Sequence, residues 1–331
     1  MIDVTILYCP DGSVSSSIAP LEVFYAAGSN WNLCVSSNRE PRFSITTVSV
    51  DGQQVVGGSG VRVVPDKPLF AVERTDLVLI PSGGTDVDVL IEKNAAVIPW
   101  LRELHARGAL VAGVCTGVAI LAEAGLLDEH RATTHWAAGD AYRKRYPKVD
   151  WQPQLCVTED RGMICGGGVY ASIDLALYLV EKLCGRDVAL GCAKSLVVQM
   201  PRTYQTGFGV LPFGREHADD AIRRGEDWLH NHFPDDIDLD QLAEDLALSS
   251  RTFLRRFTAA TGKTPLAYLQ RLRTEAAKRM LEDDRMTIQE VSLAVGYEDV
   301  AFFRDLFKRH AGLLPGAYRE RYGRSVRPSA A

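Results

Sequence analysis

The 331-residue chain has no apolar run approaching the ~18 residues that a membrane-spanning helix requires. Its first residues, MIDVTILYCP, lack a basic stretch followed by an apolar one, so no export signal is expected and the cytoplasm is the expected location. No CxxC pair and no His-rich spacing accompany its 7 cysteines. A disulfide framework and a zinc site are therefore not expected, and neither a metal nor a cofactor is implied. Net positive charge is also missing, since 37 Lys and Arg face 42 Asp and Glu for a balance of -5. What remains is an ordinary globular composition, 46% hydrophobic and 24% charged, long enough for two domains.

The charge is unevenly distributed. From Ser250 to the end, 16 basic residues stand against 9 acidic ones, whereas Ile222 to Ser249 carries 2 against 8. The electrostatic footprint of a nucleic-acid binder is local, so an acidic total does not exclude one. The basic region also contains a repeat. Phe257, Gly262, Pro265, Tyr268 and Arg271 recur fifty residues later as Phe307, Gly312, Pro315, Tyr318 and Arg321. Self-similarity at one fixed offset means a supersecondary unit used twice.

Each copy reads as two short helices. In the first, Leu239, Leu242, Ala243 and Leu246 mark one helical face behind Asp238 as cap. Ser249 caps a second helix that turns Phe253, Leu254 and Phe257 inward and leaves Arg251, Arg255 and Arg256 to point elsewhere. In the second copy Thr287-Ile288-Gln289-Glu290 is a capping box, and Gly296 supplies the turn. A helix from Asp299 to His310 is expected to bury Phe302, Phe303, Leu306 and Phe307 and to offer Val300, Ala301, Arg304, Lys308 and Arg309. Thr264-Pro265 opens a connecting helix to about Glu282, a rod of roughly 27 Å that could hold two reading helices about one DNA turn apart. A plain helical bundle with a solvated arginine face is the alternative, which the duplication disfavours.

This stretch resembles the AraC/XylS-type DNA-binding domain through Gly296-Tyr297-Glu298-Asp299, Phe303, Phe307-Lys308-Arg309, Gly312, Pro315 and Tyr318-Arg319. The resemblance implies two helix-turn-helix units reading adjacent major grooves of promoter DNA. By position, base reading falls on Arg251, Leu254 and Arg255 and on Val300, Ala301, Arg304 and Asp305, with Ser250, Arg256, Lys308 and Arg309 completing the expected DNA-contacting set. Asp305 departs from the pattern, since an acid cannot favourably meet phosphate. The first reading helix is therefore expected to dominate.

The N-terminal half alternates short apolar runs with amphipathic stretches. Strands are expected at Ile2–Tyr8, Phe43–Val50, Asp76–Ile80, Leu110–Val114, Leu155–Thr158 and Met163–Cys165. Helices are expected near Pro20–Ala27, Asn94–Ala106, Val118–Ala124, Ala137–Tyr146 and Val169–Leu183. That order predicts an α/β domain whose mainly parallel sheet is sandwiched by helices. Gly113-Val114-Cys115-Thr116-Gly117 sits where a strand turns into a helix, the setting of a nucleophile elbow that exposes a thiol whose pKa a helix N-terminus lowers. His135 is a possible partner, and Ser82-Gly83-Gly84 could present backbone N–H groups. A structural buried cysteine remains the plain alternative.

This half resembles the PfpI-like branch of the class I glutamine amidotransferase-like superfamily that is fused to AraC-type domains in GlxA-type regulators, with a flavodoxin-like fold. The residues that carry it are Pro20-Leu21-Glu22-Val23-Phe24, Pro81–Gly84, Gly113–Gly117 and Ala132-Thr133-Thr134-His135-Trp136. Enzymes of the superfamily use an elbow Cys, a His and an acid on the first strand-helix loop, and here Ser16 stands where relatives often have Asp. Cys115 and His135 are accordingly expected as remnants of a catalytic pair. A small metabolite is expected at Ser16, Gly83, Gly84, Cys115, Thr116 and His135. A Cys-dependent hydrolase or glyoxalase-like enzyme, or a thiol redox sensor, is the alternative.

The expected domains are residues 1–200 for sensing, 201–221 as a Gly- and Pro-rich linker after a helix from Arg186 to Val198, and 222–325 for DNA binding. Promoter DNA, a small-molecule effector, RNA polymerase and a second copy of the chain through the N-terminal domain are the expected partners, with no membrane.

Overall fold

Short runs of β-branched and aliphatic residues, buried on both faces, are what a helix-covered parallel sheet requires, and the N-terminal half supplies them in the needed order. A computed structural model describes residues 1–35, 39–202, 204–205, 217–283 and 285–323. They fall into two units, Met1–Gln205 and Thr206–Ala331. The first unit begins with β1 (Ile2–Leu7), α1 (Ser15–Ala26), α2 (Asn30–Val35), β2 (Phe43–Ser49), the small hairpin β3 (Val55–Val56) and β4 (Arg62–Val63), and β5 (Lys67–Pro68). It continues through β6 (Leu77–Ile80), α3 (Val87–Lys93), α4 (Val97–Ala106), β7 (Leu110–Val114), α5 (Val118–Glu123), β8 (Arg131–Ala132) and α6 (Gly139–Arg145). It closes with β9 (Asp150–Trp151), β10 (Val157–Asp160), β11 (Met163–Gly166), α7 (Ala171–Cys184) and α8 (Arg186–Ser195).

Among the described residues the main sheet has the order β10-β11-β7-β6-β1-β2-β5. Every pairing in it is parallel except β10 with β11. One sheet face packs against Trp100, Leu101 and Leu104 of α4 and Ile120 and Leu121 of α5. The other packs against Val23 and Phe24 of α1 and Leu175, Leu179 and Val180 of α7. All four residues of β6 are fully buried, and burial of this kind contributes roughly 1.5–3 kcal/mol per large aliphatic side chain. The flavodoxin-like architecture expected from the sequence is present.

Two boundaries differ for physical reasons. The first helix starts at Ser15, not at Pro20, which lies buried inside it. A proline there removes the bond its N–H would give to the carbonyl of Ser16, four residues earlier, without stopping the helix. This puts Ser16 in the first helical turn. The strand expected from Leu155, β10, starts at Val157, because the Leu155 carbonyl is taken by Thr133 Oγ1 (2.8 Å) and Gln205 Nε2 (3.0 Å).

The second unit is helical: α9 (Asp220–His232), α10 (Leu239–Asp245), α11 (Ser250–Thr261), α12 (Pro265–Glu282), α13 (Ile288–Ala294), α14 (Val300–Ala311) and α15 (Pro315–Tyr322). The expected caps form. Asp238 accepts from Asp240 and Gln241 N–H, Ser249 from Thr252, Thr264 from Ala267, and Thr287 with Glu290 closes a capping box. The repeat is preserved in geometry as well as sequence. Phe257 and Tyr268 rings meet edge-on at 5.3 Å and 82°, and their counterparts Phe307 and Tyr318 at 5.4 Å and 83°. Both α11 and α14 end in a left-handed glycine, Gly262 at φ 75° and Gly312 at φ 76°.

Candidate nucleic-acid interface and ligand site

Three of the five residues assigned to the first reading helix line one face of α11. Arg251, Leu254 and Arg255 are exposed and border an open groove of about 590 Å³ with Thr258, Ala259 and Thr264. Leu254, expected inward, is 48% exposed. An apolar side chain between two arginines suits a base edge bearing a methyl group beside hydrogen-bond acceptors. Ser250 is exposed at the start of the same helix. Arg256 is not part of this face. Its guanidinium forks onto the Asp219 carboxylate at 2.9 and 2.6 Å, tying α11 to the residue that caps α9.

On α14, Ala301, Arg304, Lys308 and Arg309 are exposed and Val300 is half-buried. Asp305 is exposed beside Arg304. Phe302, expected in the core, is 47% exposed and its ring lies 5.7 Å from that of Tyr297. The inward stripe is Phe303, Leu306 and Phe307, spaced i, i+3, i+4, and Phe302, about 100° round the helix from Phe303, falls at the edge of that stripe.

Arg273 of α12, which the helix pattern did not single out, joins the two copies. Its guanidinium donates to the carbonyls of Phe233 (2.7 Å), Asp235 (2.7 Å) and Gly296 (3.1 Å) and lies 4.8 Å from the Tyr297 ring. One buried cation thus satisfies the chain after α9 and the turn of the second helix-turn-helix together. His310, in the last turn of α14, is held neutral: burial and then the nearby Arg271, Arg309, Lys263 and Lys278 charges push its pKa down to about 4.

In the first unit, β7 delivers Cys115 to the sheet's carboxyl edge with φ +55°, a strained value for a non-glycine residue and the signature of an elbow. Gly117 makes the turn possible, because a Cβ there would lie 1.9 Å from the Pro81 carbonyl oxygen. The thiol, however, is not presented to solvent: Cys115 is 4% exposed. Burial raises its pKa, and hydrogen bonds from the Ser82 hydroxyl and from the Thr116 N–H and hydroxyl offset this only in part. The expected thiolate-favouring environment is therefore overturned, since desolvation outweighs the helix N-terminus.

Around the elbow, Thr116 Oγ1 donates to Gly83 O at 3.0 Å and lies 3.2 Å from Ser82 Oγ. Ser16 Oγ accepts from Ser82 N–H at 2.9 Å and donates to Ser13 O at 2.6 Å. The expected ligand residues Ser16, Gly83, Cys115 and Thr116 are thus in one bonded group. Gly84 faces Asp11, whose Cβ lies 3.6 Å from where a Gly84 side chain would begin, and Asp11 pairs with Lys93. His135 is half-buried, and desolvation lowers its pKa. Its Nδ1 accepts from Ala137 N–H at 3.2 Å, while Thr134 just before it donates through Oγ1 to Cys115 O at 2.8 Å.

Two further residues belong to this group. Tyr142 donates to Thr116 O at 3.0 Å, and its buried hydroxyl closes the far side of the elbow. Gln205 reaches Thr133, Thr134 and Gly168 from the end of the unit. Neither carried a sequence signal: Tyr142 read as one more helical apolar residue, and Gln205 fell in the stretch assigned to the linker.

Comparison with known proteins assigns both halves. Residues 26–182 match the DJ-1/PfpI family, and residues 242–321 match a helix-turn-helix domain family. The chain is 28% identical to the HTH-type transcriptional regulator CdhR of Pseudomonas aeruginosa over 82% of its own length and 80% of the relative's. It is 27% identical to the HTH-type transcriptional regulator GlxA of Rhizobium meliloti, over 86% and 87% of the two chains. Isonitrile hydratase of Pseudomonas putida is 33% identical over 45% of this chain and 63% of its own. The crystal structure of an AraC family transcriptional regulator from Pseudomonas putida superposes with a TM-score of 0.51 at 24% identity, covering 59% of this chain and all of that one, 100%. With an elbow-bearing α/β unit followed by paired helix-turn-helix copies, and with transcription regulators matching over 82% and 86% of the chain, this is a transcription regulator that joins a DJ-1/PfpI domain to an AraC-type DNA-binding domain and is similar to GlxA.

Proposed function

We propose that this DNA-binding transcription regulator reads its operator mainly through Arg251, Leu254 and Arg255 of α11, and answers to a small metabolite held near Cys115. The observation that carries the proposal is the pairing of an exposed arginine face on α11 with an elbow whose thiol is buried, in surroundings that raise its pKa. A neutral sulfur suits a binding wall, not a nucleophile. The hydroxyls of Ser82 and Thr116, the half-buried His135 and the nearby Asp11–Lys93 pair give the site polar groups for a small nitrogenous or carboxylated ligand. In this account the protein works in the cytoplasm as a dimer formed through the N-terminal units and acts on RNA polymerase at the promoter.

Thermal-shift screening of the whole chain against metabolites tests the effector site. A true effector raises the melting temperature as its concentration rises, and Cys115→Trp, which fills the elbow, abolishes that response. A response that survives in this variant places the effector elsewhere.

The strained backbone at Cys115 and the similarity to isonitrile hydratase favour a second reading, a Cys-dependent enzyme. Ser16 stands where that chemistry expects an acid, and the hydrogen bonds acting on the thiol come from Ser82 and Thr116. Substituting Cys115 by Ser separates the two readings: regulation that persists with no turnover lost removes the enzyme.

A further inference from the structure

The last residues of the sensing unit fold back into it. Arg202 grips the buried Asp174 through its backbone N–H (2.7 Å) and its guanidinium (Nε to both carboxylate oxygens at 3.1 Å). Gln205 N–H donates to Gln154 O at 2.9 Å, and the side chain beyond it is 3% exposed. Its Nε2 donates toward Thr134 O (2.7 Å), Leu155 O (3.0 Å) and Thr133 Oγ1 (3.3 Å), while Oε1 accepts from Gly168 N–H at 3.2 Å. Two N–H donors and one carbonyl acceptor in one plane are what a primary carboxamide offers, and this slot meets all of them.

The slot shares its walls with the elbow site. Thr134 takes Gln205 on its carbonyl and gives its hydroxyl to Cys115 O. Gly168, whose N–H holds Oε1, packs so close to the His135 ring that a Cβ on it would lie 3.2 Å from Cδ2. Gln205 is also the last residue of the first unit, and the chain leads from it to the DNA-binding unit.

We propose that this slot is a carboxamide-binding subsite with Gln205 as its built-in occupant. An effector carrying a primary carboxamide competes with Gln205 for the Thr134 carbonyl and the Gly168 N–H, and so detaches the root of the linker. Arg202 stays clamped to Asp174 and limits how far the release spreads. A ligand shifts such an equilibrium only through its preference for the released state, and taking over the bonds of Gln205 supplies that preference. The proposal rests on the effector site at Cys115 and His135 described above.

The test uses the full chain, Gln205→Ala and Gln205→Glu, with propionamide as probe and propionate as its acid control. Gln205→Ala should melt several degrees lower than the parent chain. Propionamide at tens of millimolar should restore much of the loss, and propionate none. Affinity for a fragment of the protein's own upstream region should change by about fivefold or more in Gln205→Ala and return toward the parent value with propionamide. Gln205→Glu keeps the size but loses the donor, so it should share the defect without the rescue. Equal responses to amide and acid, unchanged operator affinity in Gln205→Ala, or parent-like behaviour of Gln205→Glu would each overturn the proposal. If Gln205→Ala does not fold, Gln205→Asn, one methylene shorter, takes its place in the same comparison. Operator binding by the parent chain without amide checks the regulator reading separately, and its failure leaves the amide rescue of melting to be judged alone.

Discussion

The two helix-turn-helix copies bury the same skeleton and display different outer faces. Phe257 with Tyr268 and Phe307 with Tyr318 keep nearly identical ring geometry across fifty residues, yet α11 shows Arg251, Leu254 and Arg255 where α14 shows Ala301, Arg304 and Asp305. The buried set is constrained by packing density, which forgives little change in volume. The outer set is free to follow the nucleic acid. One unit used twice can therefore keep its stability while its two halves diverge in what they read.

The largest effect should come from the shared skeleton. Phe257→Ala and Phe307→Ala each remove a fully buried ring and should cost about 3–5 kcal/mol in urea unfolding, by similar amounts. A copy that tolerates the change would break the equivalence. Next comes the joint between copies. Arg273→Ala leaves the carbonyls of Phe233, Asp235 and Gly296 without their donor and should cost roughly 2–4 kcal/mol. Lysine should not restore it, since a single ammonium cannot reproduce a planar fork across three acceptors.

A smaller effect sharpens the difference between faces. Arg255→Ala should weaken operator binding by about 1–3 kcal/mol and more than Arg304→Ala does, because Asp305 beside Arg304 repels phosphate. The reverse order in an anisotropy titration would make α14 the dominant reader.

The smallest effect concerns His310, which has no basic counterpart at Ala260 in the first copy. Its folded pKa near 4 lies below the ordinary value of 6.5, so the unfolded chain binds more protons between these values. The stability it contributes is present above about pH 6.5 and is lost as pH falls toward 4, with a slope of at most about 1.4 kcal/mol per pH unit. Replacing His310 by Gln should flatten this part of the profile relative to the parent chain, and an unaltered profile would show that His310 is not its source.

What the sequence made legible was local. Caps at Asp238, Ser249, Thr264 and Thr287 depend on residues two or three apart, and the strands depend on runs of a few apolar residues. Features that depend on distant partners were not legible. Arg256 directly follows Arg255 in an arginine-rich helix, but Asp219, thirty-seven positions away, determines where its guanidinium goes. Cys115 sits in the right motif for an exposed thiol, and only the folded packing around it shows that it is buried, which raises its pKa. Phe302 was misplaced by treating two adjacent aromatics as one face. Gln205 illustrates the same limit, since nothing in a Gly- and Pro-rich stretch marks one glutamine as a plug for residues seventy positions earlier.

Operator binding by the full chain as a function of salt tests the central claim most directly, using fragments of its own upstream region. A protein that reads promoter DNA through exposed arginines should lose affinity linearly in log K against log salt, and Arg255→Ala should lower the whole line. Binding that is absent, indifferent to salt, or unchanged by Arg255→Ala would contradict it.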